Sequence, residues 1–194
     1  MDVNNVGSVL QNSSTNTLGT GTSTINDAGC VLTSYVRIAN AVGGKDISLD
    51  KANEIAIEKG LYTNKDELSV ENGVKLINEL IKDSGKVVSY EGSITGTTTE
   101  IAKEINKLEA STEDYYLTAR LNTENADGTK KYEHTVNING NSVFANDITD
   151  MDNSLNIRLN DTSSANRQSV ENDKRDNEIQ RVDMFSVKEK KGKW

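Results

Sequence analysis

Residues 30–44 read CVLTSYVRIANAVGG. Val31, Tyr35, Ile38 and Ala39 recur at spacings near three and four, and Gly43-Gly44 supplies a stop, so the stretch predicts a helix with Cys30 in its first turn. The same period continues downstream. In SLDKANEIAIEKG, residues 48–60, the side chains Leu49, Ala52, Ile55 and Ala56 fall on one face, with Ser48 as N-cap and Gly60 as C-cap. In SVENGVKLINELIKDSG, residues 69–85, Val70, Val74, Ile77 and Ile81 step by four, three and four, and Gly85 closes the pattern.

Beyond residue 85 the period changes. KVVSY reads as a short strand, and TTTEIAKEINKLE opens with a Thr97 to Glu100 capping box that places Ile101, Ile105 and Leu108 on one stripe. YYLTARL alternates, and a polar loop NTENADGTKK follows it. EHTVNING and NSVFAND then form two alternating runs separated by a Gly140-Asn141 turn, which predicts a hairpin with His134 at its start. IQRVDMFSV predicts one more strand. Helices gather in the first half and antiparallel strands in the second, so the expected class is α+β. Internal repeats, heptads and a glycine-rich phosphate loop are all missing, which removes the dinucleotide and triphosphate classes.

The composition predicts a small core. Only 34% of the 194 residues are hydrophobic and 5% aromatic, below the ordinary globular share, so part of the chain is expected to stay outside any core. Residues 1–24, rich in Asn, Ser, Thr and Gly, read as a polar arm or loop. Residues 25–187 read as one domain with a polar insertion at about 153–178, and KEKKGKW, residues 188–194, as a basic tail. The net charge of −8 and the lack of a basic stripe argue against nucleic acid, whose binding rests on neutralising phosphates. No run reaches the roughly 18 apolar residues of a membrane helix, and Met1-Asp2 does not open a secretory signal.

Cys30 is the only cysteine and His134 the only histidine. An internal disulfide is thereby excluded, as is a zinc site built from Cys and His, and no metal or cofactor is expected. At a helix N-terminus the dipole and unpaired amides favour a thiolate, the nucleophilic form, and the Cys30 amide could also meet a developing oxyanion. Such a thiol needs a base, and His134 is the one imidazole. Asp147, thirteen residues on and across the expected hairpin, could orient that ring. Asn146 and Asp147 point to opposite faces of a strand, so only one of them can serve, and periodicity leaves the choice open. Against this stand plainer readings: a lone cysteine as a small buried hydrophobe, a histidine at a strand start, and an Asn-Asp pair that ends a strand.

The stretch LGTGTSTINDAGCVLTSYVRIANAVGGKDISLDKANEIAIEKGLY resembles the nucleophile region of papain-like cysteine peptidases of the bacteriocin-processing-like branch, which share a Leu-Gly, a Thr-Ile, and a Gly-Cys with Leu-Thr-Ser. YYLTARLN followed by HTVNINGNSVFAND is similar to their histidine strand and closing Asp, and IQRVDMFSV to their last strand, so the likeness spans about residues 11–187. The resemblance implies a papain-like fold, with a helical half carrying the cysteine packed on an antiparallel sheet. It implies Cys30 as nucleophile, His134 as general base and then acid, Asp147 as orienting carboxylate, and Gln11 as the second oxyanion donor. The implied substrate is a peptide bond, in a protein or in bacterial cell-wall peptide. The implied setting is bacterial or phage, with release to the wall by a route other than a signal peptide. Relatives follow their Asp with proline and carry an aromatic residue ahead of the Leu-Gly. Here Asp147 is followed by Ile148, the chain has no proline, and the aromatic is missing. The alternative is therefore an inactive papain-like module that binds peptide or wall polymer without cutting it.

Overall fold

The computed structural model describes residues 9–124, 131–141, 157–160, 162 and 177–191. They divide into two compact units, one holding described residues 9–90 and 187–191, the other the remainder. The class is α+β; among the described residues four of the five α-helices lie in the first unit and the paired strands are concentrated in the second. Among the described residues no helix is long and apolar enough to cross a membrane.

The first unit is built on α2 (Cys30–Gly43), preceded by a 3-10 turn (Gln11–Ser13) and a single-turn helix α1 (Ile25–Ala28), and followed by α3 (Leu49–Glu58) and α4 (Val70–Leu80). Leu32, Tyr35, Val36, Ile38, Ala39 and Val42 are buried, so α2 is covered on more than one side. It ends where Gly44 takes a left-handed φ of 62°, with its N–H bonded back to Asn40 O, the role expected of the Gly-Gly stop. Ser48 and Ser69 cap α3 and α4 by accepting from Lys51 N and Asn72 N. The C-cap of α3 is Lys59, and Gly60, at φ 65°, lies one residue beyond it.

In α4 the buried positions are Gly73, Leu76, Ile77 and Leu80. The expected stripe of Val70, Val74, Ile77 and Ile81 is thus rotated, and Val70 and Val74 are only half-buried. The reason is steric. A Cβ on Gly73 would stand 2.1 Å from Tyr35 Cε2, so the missing side chain lets α4 settle against the α2 aromatic ring.

Polar side chains tie the connections down. The Asn40 amide donates to Ile47 O and accepts from Ile47 N, holding the α2–α3 loop. Asn78 does the same to Val88, in strand β1 (Lys86–Ile94). Residues 9–24, expected as an arm, are fastened along this unit: Leu18 is buried, Asn53 donates to Thr17 O and accepts from Gly19 N, and Thr17 bridges Thr24.

The second unit carries α5 (Thr98–Glu109) and strands β2 (Asp114–Glu124), β3 (Lys131–Asn141) and β4 (Ile157–Asn160), with most of β5 (Asn177–Glu189). The sheet order is β1-β5-β2-β3-β4. β2 and β3 are antiparallel, with Leu117 opposite Ile138, Ala119 opposite Val136 and Leu121 opposite His134. The capping box forms as the sequence predicts, Thr97 Oγ1 accepting from Glu100 N and Glu100 Oε1 from Thr97 N. It starts a helix that lays Ile101, Ala102 and Ile105 against Leu117, Ala119, Leu121, Val136, Ile138, Ile179 and Val182. Arg120 and Glu133 form an ion pair across the β2–β3 ladder.

The expected turn at Gly140-Asn141 does not form. Both residues continue β3, whose far side pairs with β4 through Asn137 opposite Asn160 and Ile138 opposite Leu159. The register slips by one between Ile138 and Asn141, so Gly140 sits in a β-bulge, the other structure for which a glycine within a strand is suited. Most of the run NSVFAND, and most of the insertion at 153–178, lie outside the described residues.

Candidate functional site

Cys30 is the first residue of the 14-residue α2, and Gly29 serves both as the end of α1 and as the N-cap of α2. The one-residue junction between the two helices favours that glycine, because a Cβ there would lie 2.5 Å from Ile25 O. Thr33 Oγ1 donates to Gly29 O at 2.8 Å and Ser34 Oγ to Cys30 O at 2.9 Å, so both carbonyls at the helix start are held by hydroxyls one turn on. Cys30 itself is half-buried. The first amides of a helix have no partner within it and the dipole there is positive, so the position suits a group that becomes anionic.

Gln11 sits beside this corner. It is buried in the 3-10 turn, and its Nε2 donates to Asn26 O at 2.8 Å. Asn26 lies in α1, four residues ahead of Cys30. The N–H of Asn26 donates to Ser14 O at 3.0 Å, so the segment carrying Gln11 grips both polar groups of one peptide residue in α1. The structure therefore brings Gln11 and the turn that leads into Cys30 together.

His134 belongs to the other unit. It is half-buried in β3 and lies opposite Leu121. Alternation along the strand puts it on the same face as Val136 and Ile138, two members of the apolar layer under α5. Asp147 lies outside the described residues. Among the described residues no group of three or more His, Cys, Asp or Glu is placed to hold a metal ion.

Three further side chains shape the corner. Arg37 on α2 is fully buried and its Nε donates to Val9 O at 2.8 Å, just ahead of the turn that bears Gln11. Ser14, just after that turn, donates from Oγ to Asp50 Oδ1 at 2.5 Å. One sequence sign was present for Arg37: it stands seven residues after Cys30 and three after Ser34, hence on one helical face with both. The Ser14–Asp50 bond spans 36 positions and has no local sign. Farther off, Tyr62 donates to Asn53 Oδ1, and burial pushes its phenol far above the ordinary range, with Asp66 adding to the shift, so it stays a hydrogen-bond donor.

Compared with known proteins, the chain matches no family model and no curated protein.

Proposed function

We propose that the protein is a thiol hydrolase of the papain-like kind that cleaves amide bonds in a protein or in bacterial cell-wall peptide. Cys30 Sγ attacks the carbonyl carbon, and the oxyanion that forms is met by the Cys30 N–H and the Gln11 side chain. His134 takes the thiol proton and passes it to the leaving amine, with Asp147 orienting the ring. The C–N bond breaks, an acyl thioester remains on Cys30, and water attacks it to release the acid and restore the thiol. The observation that supports this reading is the corner itself: the single cysteine opens a long helix, and a buried glutamine is fastened to the turn immediately before it.

A second reading, a module that binds peptide or wall polymer without cutting it, has its own support in the placement of His134 on the strand face of Val136 and Ile138, where a histidine can serve packing alone. Incubation of wild type and Cys30→Ala with purified cell-wall peptide and with a mixed peptide substrate separates the two. A hydrolase releases new amino termini, and the substitution lowers the rate by several orders of magnitude. Equal binding by both proteins, with no new termini from either, establishes the module.

A further inference from the structure

The hydrogen bonds around Gln11 form a closed chain that reaches α3. Gln11 Nε2 holds Asn26 O, and Ser14 O holds Asn26 N–H. Ser14, only 6% exposed, also accepts at Oγ from Asn16 N at 3.1 Å, while Asn16 O accepts from Ile25 N at 2.8 Å. The bonds to Asn26 and Ile25 join this segment to α1, and the bond from Asn16 to Ser14 lies within the segment. From this cluster Ser14 Oγ donates to Asp50 Oδ1 in the first turn of α3. α3 is in turn packed on α2, and its Leu49, Ala52 and Ala56 are buried. Asp50 thus connects the segment carrying Gln11 to the helix that leans on the helix carrying Cys30.

We propose that Asp50, acting through Ser14, is a positioning residue for the Gln11–Cys30 corner. The assignment rests on the hydrolase reading above for its chemical consequence, though not for its geometry. An acid in the first turn of a helix is ordinarily explained by the helix dipole alone. That explanation gives Asp50 no reason to be half-buried and bonded to a buried serine 36 residues away. With the bond in place, the segment from Gln11 to Asn16 is held between the Arg37 contact at Val9 on one side and α3 on the other. Without it, Ser14 keeps its bonds to Asn16 and Asn26, and the register of Gln11 against Asn26 loosens.

The test uses the full chain with Asp50→Ala, Ser14→Ala, the combined variant and Asp50→Asn, whose amide oxygen can accept the same bond. Two quantities are read: hydrogen exchange of the Asn26 backbone amide, and the pH profile of Cys30 alkylation by iodoacetamide. Loss of the bond should speed Asn26 exchange about tenfold, in step with the usual net worth of a hydrogen bond to a charged group. Asp50→Ala and Ser14→Ala should both do this, the combined variant should go no further than either, and Asp50→Asn should stay within about twofold of wild type. The alkylation profile of the two alanine variants should move toward that of an ordinary thiol, with Asp50→Asn restoring it. Unchanged Asn26 exchange in both alanine variants, or additive effects in the combined one, overturns the role of Asp50. A wild-type profile already like that of a free thiol overturns the hydrolase reading instead, and Asn26 exchange then still decides whether Asp50 positions the segment.

Discussion

In the helical unit, the amides of Asn40, Asn53, Asn72 and Asn78 hold the connecting segments through bonds to backbone atoms of Ile47, Thr17 and Gly19, Leu61 and Val88 respectively. In the sheet unit, the described residues are joined instead by an apolar layer in which Ile101, Ala102 and Ile105 of α5 cover Leu117, Ala119, Val136 and Ile138 of the strands. The difference follows from what each needs. Helices joined by loops leave backbone groups that demand partners, and a side-chain amide supplies both a donor and an acceptor. A sheet satisfies its backbone internally and asks mainly for its face to be covered. With no proline to stiffen its loops, this chain uses asparagine where a rigid turn would otherwise serve.

The comparison breaks first where the largest effect is expected. Ile105→Ala opens a cavity in a layer where Ile105 has no exposure, and should cost about 2–5 kcal/mol in urea unfolding. A loss under about 1 kcal/mol would mean that the layer is not tightly packed there. Gly73→Ala sharpens the helical side, because two effects have opposite signs. Helix propensity alone favours alanine by about 1 kcal/mol, while overlap with the Tyr35 ring should cost about 1–3 kcal/mol. Net destabilisation confirms the close approach of α4 to Tyr35, and net stabilisation refutes it.

Asn78→Ala strips both partners from Val88 and should cost about 1–3 kcal/mol, with faster amide exchange at Val88 itself. Exchange there that stays as slow as in wild type would remove the asparagine clamp from the account. The smallest effect belongs to the α5 capping box, where Thr97→Ala should cost about 1 kcal/mol. Its partner Glu100 accepts from the Thr97 backbone N–H, which holds the Glu100 carboxyl below its ordinary range. The folded-state value is the lower one, so the contribution is present above the ordinary glutamate value of about 4.3 and is lost as pH falls through the folded-state value. Glu100→Gln should flatten this acid limb of the unfolding curve, and an unchanged limb would show that the carboxylate is not what caps α5.

What the sequence made legible was local. The helix opened by Cys30, the Ser48 cap and the Thr97–Glu100 box each rest on residues within a turn or so of one another, and each is found. The misreadings arose where a distant element decides. Gly140-Asn141 suits a turn or a bulge equally well, and the pairing of β3 with β4 selects the bulge. Apolar period alone places the α4 stripe on Val70 and Val74, yet the Tyr35 ring of α2 occupies the space a Cβ on Gly73 would need, and Gly73 is buried instead. At the candidate site, Cys30 could be placed at a helix start from spacing alone, whereas Gln11 rested on resemblance. The Ser14–Asp50 bond had no sign of any kind, since nothing in either segment's composition names the other.

The most direct measurement is the rate of Cys30 alkylation against pH in wild type and in His134→Ala. A free thiol titrates near pH ~8.5, whereas a thiolate paired with an imidazolium at a helix start should react at a rate nearly constant down to about pH 5. The account predicts that plateau in wild type and its loss in His134→Ala. An ordinary rise around the free-thiol value in both proteins would contradict it and leave Cys30 and His134 as two structural residues of separate units.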